Sequence, residues 1–98
     1  MLIDQSVAAA VKMVDLQKYH IGTTIKVQGA MTTTVITVEL PLVADPAEDN
    51  DAHWQQATTE ATAWQFDSDN LIRVVDGALG VVRFNKPAGD NVGLVHKW

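Results

Sequence analysis

A chain of 98 residues, 47% hydrophobic and 19% charged, has the composition of one folded domain and not of a disordered segment. It contains no cysteine, which excludes disulfides, thiolate metal sites and thiol nucleophiles. Its formal charge of −5, from twelve acidic against seven basic side chains, runs against binding duplex nucleic acid or an anionic membrane surface.

The chain opens Met-Leu-Ile-Asp, without the basic start and unbroken apolar core of a secretory signal, and no apolar run reaches the length of a membrane span. Synthesis in the cytoplasm is the expectation. Residues 1–6 read as a loose N-terminal arm and residues 7–98 as a single domain. After the arm, two readings compete. Val7, Val11 and Val14 recur at helical spacing, with Asp4 or Ser6 as a cap and Gly22 beyond the end. Residues 11–16 read equally as a strand before Tyr19-His20-Ile21-Gly22, and the strand is slightly preferred.

Residues 24–28 alternate, with Ile25 and Val27 on one side, and Gly29-Ala30 suggests a hairpin into the next strand. Residues 32–42 alternate most clearly. Ile36, Val38, Leu40 and Leu42 fall on one face, and Thr33, Thr37 and Glu39 on the other. Pro41 lacks an N–H, which places the end of this strand at an edge or outside the ladder. Residues 44–53 read as a solvated acidic loop carrying Asp45, Glu48, Asp49 and Asp51. Residues 54–66 hold one or two short strands. Residues 71–84 read as a hairpin about Asp76-Gly77, with the register, and so whether Arg73 and Arg83 share an outward face, left open. A last strand over residues 92–98 puts Val92, Leu94, His96 and Trp98 on one side. The sum is an all-β domain of about seven strands: a small antiparallel sandwich, jelly-roll-like, with the N-terminal helix as the open alternative.

No catalytic constellation is legible. Asp49-Asn50-Asp51 could begin a calcium loop, but the glycine and the downstream glutamate of an EF-hand are missing. His20, His53 and His96 form no short-spaced pair of the kind helical zinc motifs use. Ser6 and Ser68 lack the glycines of a nucleophile elbow, and the glycines are too dispersed to cradle a phosphate. The expectation is therefore a non-enzyme with no cofactor and no metal. Trp54 and Trp64 plug the core, or else stack on sugars in a carbohydrate-binding module. Met1, Leu2, Ile3 and the terminal Trp98 are the candidate contacts to a partner.

One ordered series of segments carries a resemblance. Val14-Asp15-Leu16 and Tyr19-His20 precede Thr24-Ile25-Lys26-Val27-Gln28-Gly29 and the alternating run from Thr34 to Glu39. A polar loop then ends in Trp54, followed by Phe66-Asp67, Leu71-Ile72-Arg73-Val74-Val75, a glycine turn and a valine-rich last strand. This pattern resembles the small β-sandwich virion proteins of tailed bacteriophages, which decorate heads or form ancillary tail parts. The long acidic stretch before Trp54 departs from the glycine-rich turn of that group. The resemblance implies a structural, homo-oligomeric protein located in the virion and bound to capsid or tail subunits.

Overall fold

The computed structural model describes residues 2–4, 9–16, 23–59, 62–63, 65–67, 72–75, 80–90 and 92–97. Among them strands predominate and helix is almost absent, and two antiparallel sheets share one apolar core. In the larger sheet β1 (Ala10–Asp15) pairs with β9 (Val81–Lys86), β9 with β3 (Ile36–Pro41), and β3 with both β4 (Trp54–Gln56) and β7 (Gln65–Phe66). The smaller sheet has the order β10 (Gly93–Lys97), β2 (Thr23–Gln28), β8 (Ile72–Val75). A two-stranded ribbon joins β5 (Thr58–Thr59) to β6 (Thr62–Ala63).

The N-terminal strand reading holds, since residues 10–15 form β1. Valine and isoleucine alternation selects the buried face, as the period of a pleated strand requires. Ile25 and Val27 on β2, Ile36 and Val38 on β3, Val82 and Phe84 on β9, and Leu94 on β10 are all fully buried. Phe66 stands 6.3 Å from Phe84 with the rings tilted by 56°. Burying each such side chain contributes about 1.5–3 kcal/mol.

Both hairpins expected from the sequence are instead crossings between sheets. β2 lies in the smaller sheet and β3 in the larger, so residues 29–35 arch over the core. β8 and β9 are likewise in different sheets, so they do not form the expected hairpin. Alternation identifies the apolar side of a strand, and a hairpin and an arch produce the same alternation. β3 has strands on both sides, but its end leaves one ladder, as the missing N–H of Pro41 leads one to expect. Its ladder to β9 spans only Thr37–Glu39, and Pro41 stands beyond that ladder, opposite Trp54.

The strand beside β3 is interrupted. Glu39 faces Gln56 in the register of β4, yet Thr37 faces Gln65 of β7, and the β5–β6 ribbon takes up the residues between. The region expected to hold one or two strands thus holds four short ones.

The arm expected at residues 1–6 is, where described, part of the core. Leu2 and Ile3 are 8% and 3% exposed. The N–H of Leu2 donates to the Leu94 carbonyl at 2.9 Å, and Ile3 bridges Leu94 antiparallel. Two adjacent apolar residues gain more from a sheet edge and a core than from solvent.

An aspartate clasp ties the two arches that follow β2 and β9. The Asp90 carboxylate accepts the N–H groups of Thr32, Thr33 and Thr34 at 2.6, 2.9 and 3.0 Å, and the Thr32 hydroxyl at 2.7 Å. The Asp90 N–H donates to Thr34 Oγ1 at 2.7 Å. These donors hold the Asp90 carboxyl well below the usual carboxylate range. Gly89, with φ +154°, precedes the clasp, and a Cβ there would clash with Thr34 Oγ1.

Candidate functional site

On β9, Val82 and Phe84 face the core, so Arg83 points to the outer side of the larger sheet. An arginine there belongs in water, yet Arg83 is only 1% exposed. The cover comes from residues 44–53, the stretch read as a solvated loop, which folds back over the sheet as a strap.

Arg83 Nε donates to Glu39 Oε1 at 2.6 Å from the neighbouring strand, a pairing set by the Glu39–Arg83 register. Its Nη1 donates to the Glu48 carbonyl at 3.0 Å and to Asp51 Oδ1 at 2.9 Å, both on the strap. Its guanidinium lies 5.5 Å from the centre of the Trp54 ring, within cation–π range. Desolvation opposes the charge, but the hydrogen bonds to Glu39 and Asp51 and the attraction of both carboxylates outweigh it, and the Arg83 pKa is raised.

The strap braces itself as well. Trp54 Nε1 donates to the Ala47 carbonyl at 2.9 Å, and the Ala47 N–H donates to His53 Nδ1 at 3.0 Å. Asn50 caps the short 3-10 turn Asp51–His53 by accepting the Ala52 N–H. Glu48 Oε2 accepts the Met13 N–H at 2.8 Å, on the side of β1 that faces away from β9. An edge strand offers such groups to any passing chain, and a carboxylate seated on one blocks the template.

Where the strap leaves β3 the surface turns apolar. Leu42 and Val43 are 58% and 41% exposed. They adjoin an open groove of about 320 Å³ lined by Leu40, Pro41, Leu42, Gln55, Gln56 and Ala57. The stripe Ile36, Val38, Leu40, Leu42 therefore begins sealed in the core and ends in solvent.

Trp54 is not an exposed stacking platform. It is 5% exposed, with one face taken by Arg83 and its N–H by Ala47. Leu2 and Ile3 are sealed in the core and offer no contact surface to a partner. Met1, Trp64, Trp98 and His20 lie outside the described residues. The acids of residues 45–51 do not converge on one point: Glu48 serves Met13 and Asp51 serves Arg83. Among the described residues no group of histidines and carboxylates is arranged to hold a metal, and no helix is long and apolar enough to cross a membrane.

Sequence reasoning missed the Arg83 node. Its signal was an arginine inside an apolar strand, Val81-Val82-Arg83-Phe84, with a glutamate at a like position in β3. Compared with protein-family models, with characterised proteins and with solved structures, the chain matches none.

Proposed function

We propose that the chain is a structural, non-catalytic subunit of a tailed-phage particle, binding capsid or tail subunits as a homo-oligomer, in the manner of head-decoration proteins. The observation that carries this reading is the apolar stripe of β3. It passes from fully buried Ile36 and Val38 to half-buried Leu40 and then to Leu42 and Val43 at the surface. A small domain with a thin stability margin keeps such an exposed end where a partner covers it. The order of strand and turn segments that resembles the virion group supports the choice of partner class. Size-exclusion chromatography with light scattering, together with mass spectrometry of purified particles, tests the reading. The expected result is an oligomer that recurs in particles at fixed stoichiometry. A strict monomer found in no particle overturns it.

A further inference from the structure

We infer that His53 is an acid-sensitive latch: its neutral ring fastens the strap of residues 44–53 over the larger sheet, and protonating the ring loosens the strap. The latch stands whether or not the chain assembles into a particle. Two N–H donors face the imidazole. The Ala47 N–H donates to Nδ1 at 3.0 Å, and Asn50 Nδ2 lies 3.1 Å from Nε2. Asn50 does not present its oxygen to the ring, because Oδ1 accepts the Ala52 N–H at 3.1 Å. A neutral imidazole has one lone pair to offer, and an imidazolium has none. A side-chain amide can turn to water and the Ala47 backbone cannot, so the lone pair belongs at Nδ1. A proton placed there sets N–H against N–H and removes the bond.

Ala47 is the residue on which the strap turns. Its carbonyl accepts Trp54 Nε1 at 2.9 Å and the Asn50 N–H at 3.2 Å. The next residue, Glu48, gives its carbonyl to Arg83 and its carboxylate to the Met13 N–H. Freeing Ala47 therefore loosens the segment that seals Arg83 and caps the outer edge of β1. Nearby acids act the other way, since a carboxylate beside the ring favours the imidazolium. The strap carries Asp45, Glu48, Asp49 and Asp51, and the neighbouring strands carry Arg83, Glu39, Lys12 and Asp15. Among the described residues no carboxylate stands at ion-pairing distance from the ring, and Glu48 and Asp51 are engaged by Met13 and Arg83. The proton thus gains no fixed acceptor and meets two donors. Histidine side chains exchange their charge between about pH 5 and pH 8, so the strap is firm at the upper end of that range and loosens toward the lower.

Amide exchange with solvent, followed by NMR on the isotope-labelled full chain and divided by the intrinsic rate at each pH, is the test. Between about pH 7.5 and about pH 5.5 the protection of the Ala47 amide is expected to fall about two- to tenfold, as the loss of one net hydrogen bond predicts. The Met13 amide falls with it, while the Ala57 amide, bonded to the Val38 carbonyl, keeps its protection. The nitrogen signals of the His53 ring titrate in step with Ala47. His53→Asn puts an amide oxygen near the place of Nδ1, an acceptor that does not titrate, and abolishes the response; His20→Gln and His96→Gln keep it. Unchanged Ala47 protection overturns the inference, as does a response that persists in His53→Asn. A fall confined to Ala47 with Met13 still protected also overturns it, because the bond then fastens nothing. So does a matching fall at Ala57, which would mean loosening of the whole domain. The measurement needs no particle, so its failure is separable from failure of the particle experiment.

Discussion

Glu39 and Asp51 both pair with Arg83 at hydrogen-bonding distance, 2.6 and 2.9 Å, and they differ in burial. The Glu39 side chain is 13% exposed and the Asp51 side chain 86%. Removing one partner of a buried pair leaves the other charge dry and uncompensated, which costs about 3–5 kcal/mol. Arg83 keeps Asp51, the Glu48 carbonyl and the Trp54 ring after Glu39→Ala, which places the expected loss near the lower end, about 3 kcal/mol. Asp51→Ala removes a pair whose acid half stands in water, and about 0–1 kcal/mol is expected. Urea unfolding followed by circular dichroism measures both. At a slope of about 1–3 kcal/mol per molar urea, Glu39→Ala lowers the midpoint by about 1–3 M and Asp51→Ala by at most about a third of that. Added salt should reduce the Asp51 contribution and leave that of Glu39 nearly unchanged. Equal losses for the two variants, or a Glu39→Ala loss below about 1 kcal/mol, would refute burial as the source of the difference.

Three further outcomes follow from the clasp and the N-terminus. Gly89→Ala puts a Cβ onto Thr34 Oγ1 at a φ that side chains rarely adopt, so a loss of about 1–3 kcal/mol is expected, seen as a fall in Tm; an unchanged Tm would mean the two arches are not held against each other. The Asp90 carboxyl is depressed in the fold, so its contribution is complete above the unfolded value of about 4 and disappears as pH falls through the folded value below it. The stability gap between wild type and Asp90→Asn should therefore be flat from pH 5 to pH 8 and shrink at lower pH; a gap that widens on acidification contradicts the clasp. Deleting residues 1–4 strips Leu2 and Ile3 from the core and should cost about 3–6 kcal/mol as an upper bound, measured by thermal melting, whereas a free arm would cost nothing.

The β content and most of the buried set were legible in the sequence because period-two alternation is a local property. Ile25, Val27, Ile36, Val38 and Leu94 could be assigned to the interior from neighbouring letters alone, and all are fully buried. Strand partners could not be assigned that way. Asp76-Gly77 and Gly29-Ala30 are turn-forming pairs, but a turn at the end of a sandwich serves a crossing as well as a hairpin. What decides between them is whether the next apolar face must oppose the previous one across the core, as β2 and β3 do, or lie beside it. That is a long-range requirement, and the Asp90 clasp that stabilises one crossing spans 58 residues to Thr32.

The strap shows the same separation between local and long-range chemistry. Residues 44–53 look like a solvated loop because their side chains are solvated: Asp45, Asp49 and Asp51 all stand in water. The contacts that fix the strap are its Glu48 carbonyl, one carboxylate reaching Met13, and a buried guanidinium supplied from more than thirty residues away. Arg83 decides the matter because a cation on a strand face has two stable states, exposed to water or sealed under enough acceptors to replace water. Glu39 at the opposing register position supplies the first acceptor only because β3 and β9 are neighbours. Once that pair exists, the strap that brings Glu48 and Asp51 completes the shell, and Trp54 closes it from the side.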